Sequence, residues 1–309
     1  MGLLTPETWI LKDKRPLFRS DFPLRPQTFH QNVRISKESV LTGRLRSFDR
    51  RLLTQSGFLE QRVLEPEPPC WFCPSTSNPS TNEHVFPRWL QKSLGVERQM
   101  VAPIRLLANM LTIGSQRPEH PISALTVGNI CQNCNSGWMS RLEQAAPEVL
   151  TEHQTGRVSI DQSKVLARWM TKTAVCLNVS MPYRLLFDAT TRHALSEGMP
   201  TSTYVFILRT RKDTHEINWA QGGQSLWFAP EEDLGLVKSA MALTYYGRIH
   251  LGKLSAIIVN IPGILTDFEV SVKSDAAQIW PPTNLPTWGA VPRFNRFDDP
   301  YVEITVRRR

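Results

Sequence analysis

Residues 161–178 carry Val165, Leu166, Trp169, Met170, Thr173, Ala174 and Leu177 at spacings of three and four, which predicts a helix with one face turned to a core. Asp161 stands where the N-cap of that helix belongs. Beyond it the period changes. Segments 203–208, 225–229, 242–250 and 254–261 are rich in β-branched and aromatic residues and are parted by turn signals, so the last third reads as an antiparallel sheet with helices attached. Gly222 and Gly223 read as one of the turns. Shorter helical stretches are expected at 87–94 and 139–143, with a looser insert at 96–127 between them. Upstream, prolines at 6, 16, 23 and 26 predict an extended arm, followed by a helix-compatible basic piece at 36–53. Glu65-Pro66-Glu67-Pro68-Pro69 is a stiff, polyproline-prone lead that marks a boundary. The expected organisation is an α+β chain in three regions: an arm at 1–69, a small module at 70–150 and a helix-plus-sheet domain at 151–309.

Composition narrows the function classes. With 309 residues, 41% of them hydrophobic, the chain can bury a sizeable core. A formal charge of +8 favours a polyanionic partner such as DNA, RNA or an anionic membrane face. Basic residues crowd the arm, where Arg44, Arg46, Arg50 and Arg51 are candidates for gripping phosphate, and Arg307, Arg308 and Arg309 end the sequence. No secretory signal is legible, Pro6 stands where a myristoylation signal needs Ser or Thr, and the longest apolar run, 254–265, is broken by Asn260, Pro262 and Gly263. The expectation is a cytoplasmic protein without membrane association.

Cysteine usage agrees with a reducing compartment and introduces the chemistry. Four of the five cysteines form two C-x-x-C pairs, Cys70/Cys73 and Cys131/Cys134. Two knuckles of two thiolates each can close a tetrahedral zinc site, and four sulfur ligands leave no open coordination position, so such a zinc is structural. Cys176, inside the predicted helix, reads as a small buried hydrophobe. Reactive groups must then come from elsewhere. Glu83 and His84 follow ten residues after the first knuckle, and Asn135 follows directly on the second. A carboxylate and an amide oxygen suit Mg2+ or Mn2+, and an imidazole titrates near neutrality and can take a proton from water.

The order Cys70-Trp71-Phe72-Cys73, Glu83-His84-Val85-Phe86-Pro87, Cys131-Gln132-Asn133-Cys134-Asn135 resembles the zinc-containing branch of the HNH, or ββα-metal, endonuclease family. More loosely, the strings running on to Leu90 and Met139 are similar to a group of bacterial and phage HNH proteins that carry a long C-terminal region. The resemblance covers roughly a quarter of the chain, 70–143. It implies a zinc-stapled ββα-metal module, a catalytic divalent ion held by Glu83 and Asn135, and His84 as general base for hydrolysing DNA to 5′-phosphate and 3′-hydroxyl ends, in defence, restriction or phage biology. The C-terminal region is expected to select the target or to form a homo-oligomer. Three positions depart from the family pattern: Glu83 replaces the commoner aspartate, Thr126 or Asn129 must serve for the middle asparagine, and Trp138 stands where lysine is common.

Plainer readings stand beside these. Asn135 also suits a helix cap near Gly137. Trp71, Trp89, Trp138 and Trp169 suit packing around a small metal module better than stacking on bases. The rival function is a non-catalytic zinc knuckle that binds nucleic acid, and a third reading is a scaffold whose zinc module organises a partner surface.

Overall fold

In the computed structural model the periodic stretch at the centre of the chain forms a helix of 21 residues, Ile160–Ser180. The structure describes residues 8–10, 68–75, 79–101, 103–106, 112–114, 119–150, 156–180, 186–210, 215–223, 227–228, 244–261, 268–274, 276–294 and 302–308. Arg44, Arg46, Arg50 and Arg51, with the helix expected at 36–53, lie outside the described residues.

The central helix starts at Ile160, ahead of the cap expected at Asp161. Ser159 N–H donates to Gln162 Oε1 at 3.0 Å and Gln162 N–H donates to Ser159 Oγ at 3.1 Å. This reciprocal capping box makes Ser159 the cap in place of Asp161. Residues 169–179 are all buried, not only one face. The hydroxyls of Thr171 and Thr173 donate to the carbonyls of Ala167 and Trp169 at 2.8 and 3.0 Å, so these polar groups need no solvent. A helix buried all round must lie between layers.

Along the chain, β1 (Thr8–Ile10), β2 (Ser80–His84), α1 (Arg88–Leu94), β3 (Met100–Val101), β4 (Pro103–Leu106), β5 (Thr112–Gly114), β6 (His120–Pro121) and β7 (Thr126–Cys131) come first. Helices α2 (Ser140–Leu150), α3 (Ile160–Ser180) and α4 (Ala189–Ala194) follow. The remainder is β8 (Thr203–Thr210), β9 (Ile217–Gly223), β10 (Trp227–Phe228), β11 (Tyr245–Leu251), β12 (Leu254–Asn260), β13 (Phe268–Ser274), β14 (Ala277–Trp280), β15 (Arg293–Phe294) and β16 (Val302–Arg308).

The main sheet has the order β14-β8-β12-β11-β9, all neighbours antiparallel, with β15 added parallel to the end of β8. Its central hairpin turns through Gly252 and Lys253, and Gly252 takes φ 57°, a conformation a two-residue hairpin favours and glycine adopts freely. Gly222 and Gly223 are not a turn. They lie within β9 opposite Tyr246 and Tyr245, and strand pairing there overrides the turn propensity of the glycines. β13 and β16 pair antiparallel, and β10 runs parallel to β16. The chain is thus a mixed helix-and-sheet fold dominated by antiparallel pairs.

Helix α3 packs on β8, β11, β12 and β14 and also against β7 and α2, so it is the shared middle layer. One apolar cluster runs from Cys70 and Phe72 through Trp138 and Trp169 to Val205 and Val291, on both sides of residue 150. The stretch expected to loop out, 96–127, is tied to the main sheet: Gln99 Nε2 donates to the carbonyl of Ile217 at 2.6 Å and its Oε1 accepts the Ile217 N–H at 3.0 Å. Among the described residues no helix is long and apolar enough to cross a membrane.

Candidate metal centre and the His84 strand

Pro69 leads the chain into the first knuckle, and the Trp71 N–H donates to the Asn129 carbonyl at 2.9 Å, fixing that knuckle against the approach to the second. Cys131 ends β7, and Cys134 opens a wide helical turn, Cys134–Met139, which breaks at Gly137 before α2 begins. The four sulfurs lie within 4.8 Å of one another, and Cys73 Sγ is 3.5 Å from Cys131 Sγ. A tetrahedral zinc with sulfur ligands at about 2.3 Å places its sulfurs about 3.8 Å apart, so one ion fits.

Backbone amides complete the centre. Phe72 and Cys131 N–H donate to Cys70 Sγ at 3.4 and 3.3 Å, and Cys134 N–H donates to Cys131 Sγ at 3.4 Å. Such donors favour thiolate. Hydrogen bonding from Cys134, ahead of these amides, brings Cys70 down to about 4, and the same contact raises Cys134. The four cysteines can hold a metal ion such as zinc. Aromatic residues of the knuckles carry cations: Arg192 lies 5.0 Å over Trp71 and Arg168 lies 5.0 Å over Trp138, which offsets the excess negative charge of four thiolates around a divalent ion.

The same centre fixes the strand that bears Glu83 and His84. β2 and β7 pair antiparallel, Ser80 opposite Cys131 and His84 opposite Thr126, with a register shift between Thr81 and Glu83. Thr126 is therefore the cross-strand neighbour of His84; Asn129 sits at the irregular part of β7 with φ 54°. Asn135 does not cap the helix. Its Nδ2 donates to Thr81 Oγ1 at 2.9 Å, and that hydroxyl donates to the Ile130 carbonyl at 2.8 Å, so Asn135 fastens the strand pair to the helical turn.

His84 is half-buried, and Arg88 Nε donates to its Nε2 at 3.4 Å. Burial first and Arg88 second lower its pKa below the ordinary 6.5, against the pull of Glu83, so the imidazole is neutral at pH 7. Glu83 turns the other way. It is 8% exposed, and its carboxylate is ion-paired with Lys172 of α3. Glu143 Oε1, on α2, lies 2.7 Å from the same Lys172 Nζ. Lys172 is fully buried. Its burial opposes the charge, but negative neighbours raise its pKa: Cys176, Glu83 and Glu143. Burial pushes Cys176 itself up to about 12, so near neutrality that thiol is uncharged and the two carboxylates hold the ammonium.

No family model, curated protein or solved structure matches the chain.

Of the residues singled out in the sequence, the four cysteines converge, and Glu83, His84 and Asn135 share the strand pair they clamp. Their side chains have different partners: Lys172, Arg88 and Thr81 respectively. Glu143 and Lys172 were not foreseen. The one signal in the sequence is that 169–179 holds a single charged residue, and a lysine needs an acid partner once that stretch is buried, which only the packing shows.

Proposed function

We propose that the chain acts on nucleic acid through the cysteine-clamped strand pair and helix, hydrolysing phosphodiester bonds of DNA with His84 as general base. The observation that carries this reading is the place of His84: a half-exposed, neutral imidazole on a strand whose register is fixed by the metal centre, followed within one helical turn by the exposed cation Arg88. The resemblance to HNH endonucleases assigns the same histidine. In the proposed step His84 takes a proton from water, the water oxygen bonds to phosphorus, and the bond to the 3′ oxygen breaks. Arg88 is suited to hold a non-bridging phosphate oxygen, and its turn to phosphate takes its Nε–H off His84 Nε2 and frees that nitrogen for the proton. The charge of +8 favours the polyanion.

Mg2+ or Mn2+ at such a site would stabilise the charge on phosphate. Of the two implied ligands, Asn135 keeps Oδ1 as a ligating atom, whereas Glu83 is committed to Lys172. The Glu83 ion pair favours a second reading, a zinc knuckle that binds nucleic acid without cutting it.

Plasmid cleavage with added Mg2+, with Mn2+ and with neither separates the two. Hydrolysis predicts product from the native chain and none from His84→Ala at unchanged zinc content. Its loss of rate on acidification should come at a lower pH than an ordinary imidazole gives, because burial and Arg88 lower the pKa of the base. Undiminished cleavage by the variant would refute the assignment, and salt-dependent binding without product would establish the second reading.

A further inference from the structure

We infer that the ammonium of Lys172 occupies the cation position between Glu83 and Glu143, so that these carboxylates take no divalent ion and the cation of this site belongs to the chain itself. One nitrogen bridges carboxylate oxygens from two elements, β2 and α2, as a metal ion would. The bridging atom is delivered from a third element, α3, which is buried on every side around it.

Three physical arguments keep it there. First, Lys172 has 0% exposure and lies on the middle layer, with Trp169, Thr173 and Cys176 also at or near zero exposure around it on the same helix. Withdrawing the ammonium would leave it unpaired in the core, which is strongly disfavoured. Second, Mg2+ is six-coordinate, dehydrates reluctantly and keeps several waters. Glu83, at 8% exposure, offers little room for them. Third, the ammonium already sets one positive charge between the two carboxyl groups, so they present no bare acidic pair to a divalent ion. Lys172 is on this account a positioning residue, which binds the strand carrying His84 to the central helix.

The inference goes beyond the proposed hydrolysis and does not depend on it. The test is a Mn2+ titration of the zinc-loaded full chain, read by loss of the free-ion electron paramagnetic resonance signal. Native chain and Glu83→Gln should give the same isotherm, because any weak surface binding is common to both. Lys172→Ala should gain a site binding about tenfold tighter or more, a gain abolished in Lys172→Ala with Glu143→Gln. A native site lost on Glu83→Gln would overturn the inference, as would a Lys172→Ala variant that keeps its zinc and melting transition yet gains nothing. If Lys172→Ala does not fold, the native and Glu83→Gln isotherms decide: identical curves uphold the inference. Mn2+ bound through Glu83 would leave His84 in place as base, whereas cleavage insensitive to His84→Ala would overturn the hydrolysis alone.

Discussion

Glu143 shows how one buried carboxylate can set a slope in stability. Its ordinary pKa is 4.5, and burial, opposed by Lys172, pushes it up to about 7 in the folded chain. The folded state therefore holds this proton more tightly than the unfolded state does. The stabilisation is fully present below pH 4.5 and is lost as pH rises toward 7. Glu143→Gln removes the titration, so the fall in denaturation midpoint from pH 5 to pH 7.5 should be smaller in the variant than in the native chain. An equal fall in both would assign the slope to other groups. The cysteine pairs were readable at this scale because thiolate spacing alone specifies a metal knuckle. Lys172 was not, because Asp161 and Lys164 mark the same helix as solvent-facing, and only its packing shows that the exposed part ends before residue 169.

At the scale of elements, β2 is five residues of mostly polar sequence, Ser-Thr-Asn-Glu-His, and would not pair stably by propensity. What holds it is β7 and the knuckles at the end of that strand. Metal binding to such a centre contributes on the order of 10 kcal/mol in small zinc modules. Cys134→Ser, or removal of the ion by a strong chelator, should therefore abolish zinc binding and release the β2–β7 pair, together with the packing of Phe72 on Trp138 at 5.6 Å. Tryptophan emission should shift to longer wavelength, and the melting temperature should drop by ten degrees or more, on the order expected for a loss of several kcal/mol. Retained emission and melting without metal would mean that the strand pair stands by itself. The stretch 96–127 was expected to leave the module. Its Gln99 pairs with both backbone groups of Ile217 in the main sheet, a contact 118 positions away that no local pattern encodes.

Across the whole molecule α3 is the member that makes one body of the metal centre and the main sheet. Its Trp169 is fully buried, with its ring 6.1 Å from that of Trp89 on the module side. Replacing it by alanine should cost about 3–5 kcal/mol. Because the apolar cluster is continuous, zinc release and loss of sheet signal should coincide on urea titration, in the native chain and in Trp169→Ala alike. Two separated transitions would show that the boundary near residue 150 divides independent units. The sequence by itself determined what rests on short-range chemistry: the metal knuckles, the central helix by its period, three strands of the main sheet by β-branched and aromatic content, and the neighbouring Glu83 and His84 as the polar pair worth testing. Tertiary structure alone decided the partner of each side chain. Glu83 meets a lysine 89 positions away, His84 faces Thr126 across the strand pair, and Gly222 and Gly223 become strand, because burial and pairing across distant segments are set by how layers close and not by the residues beside them.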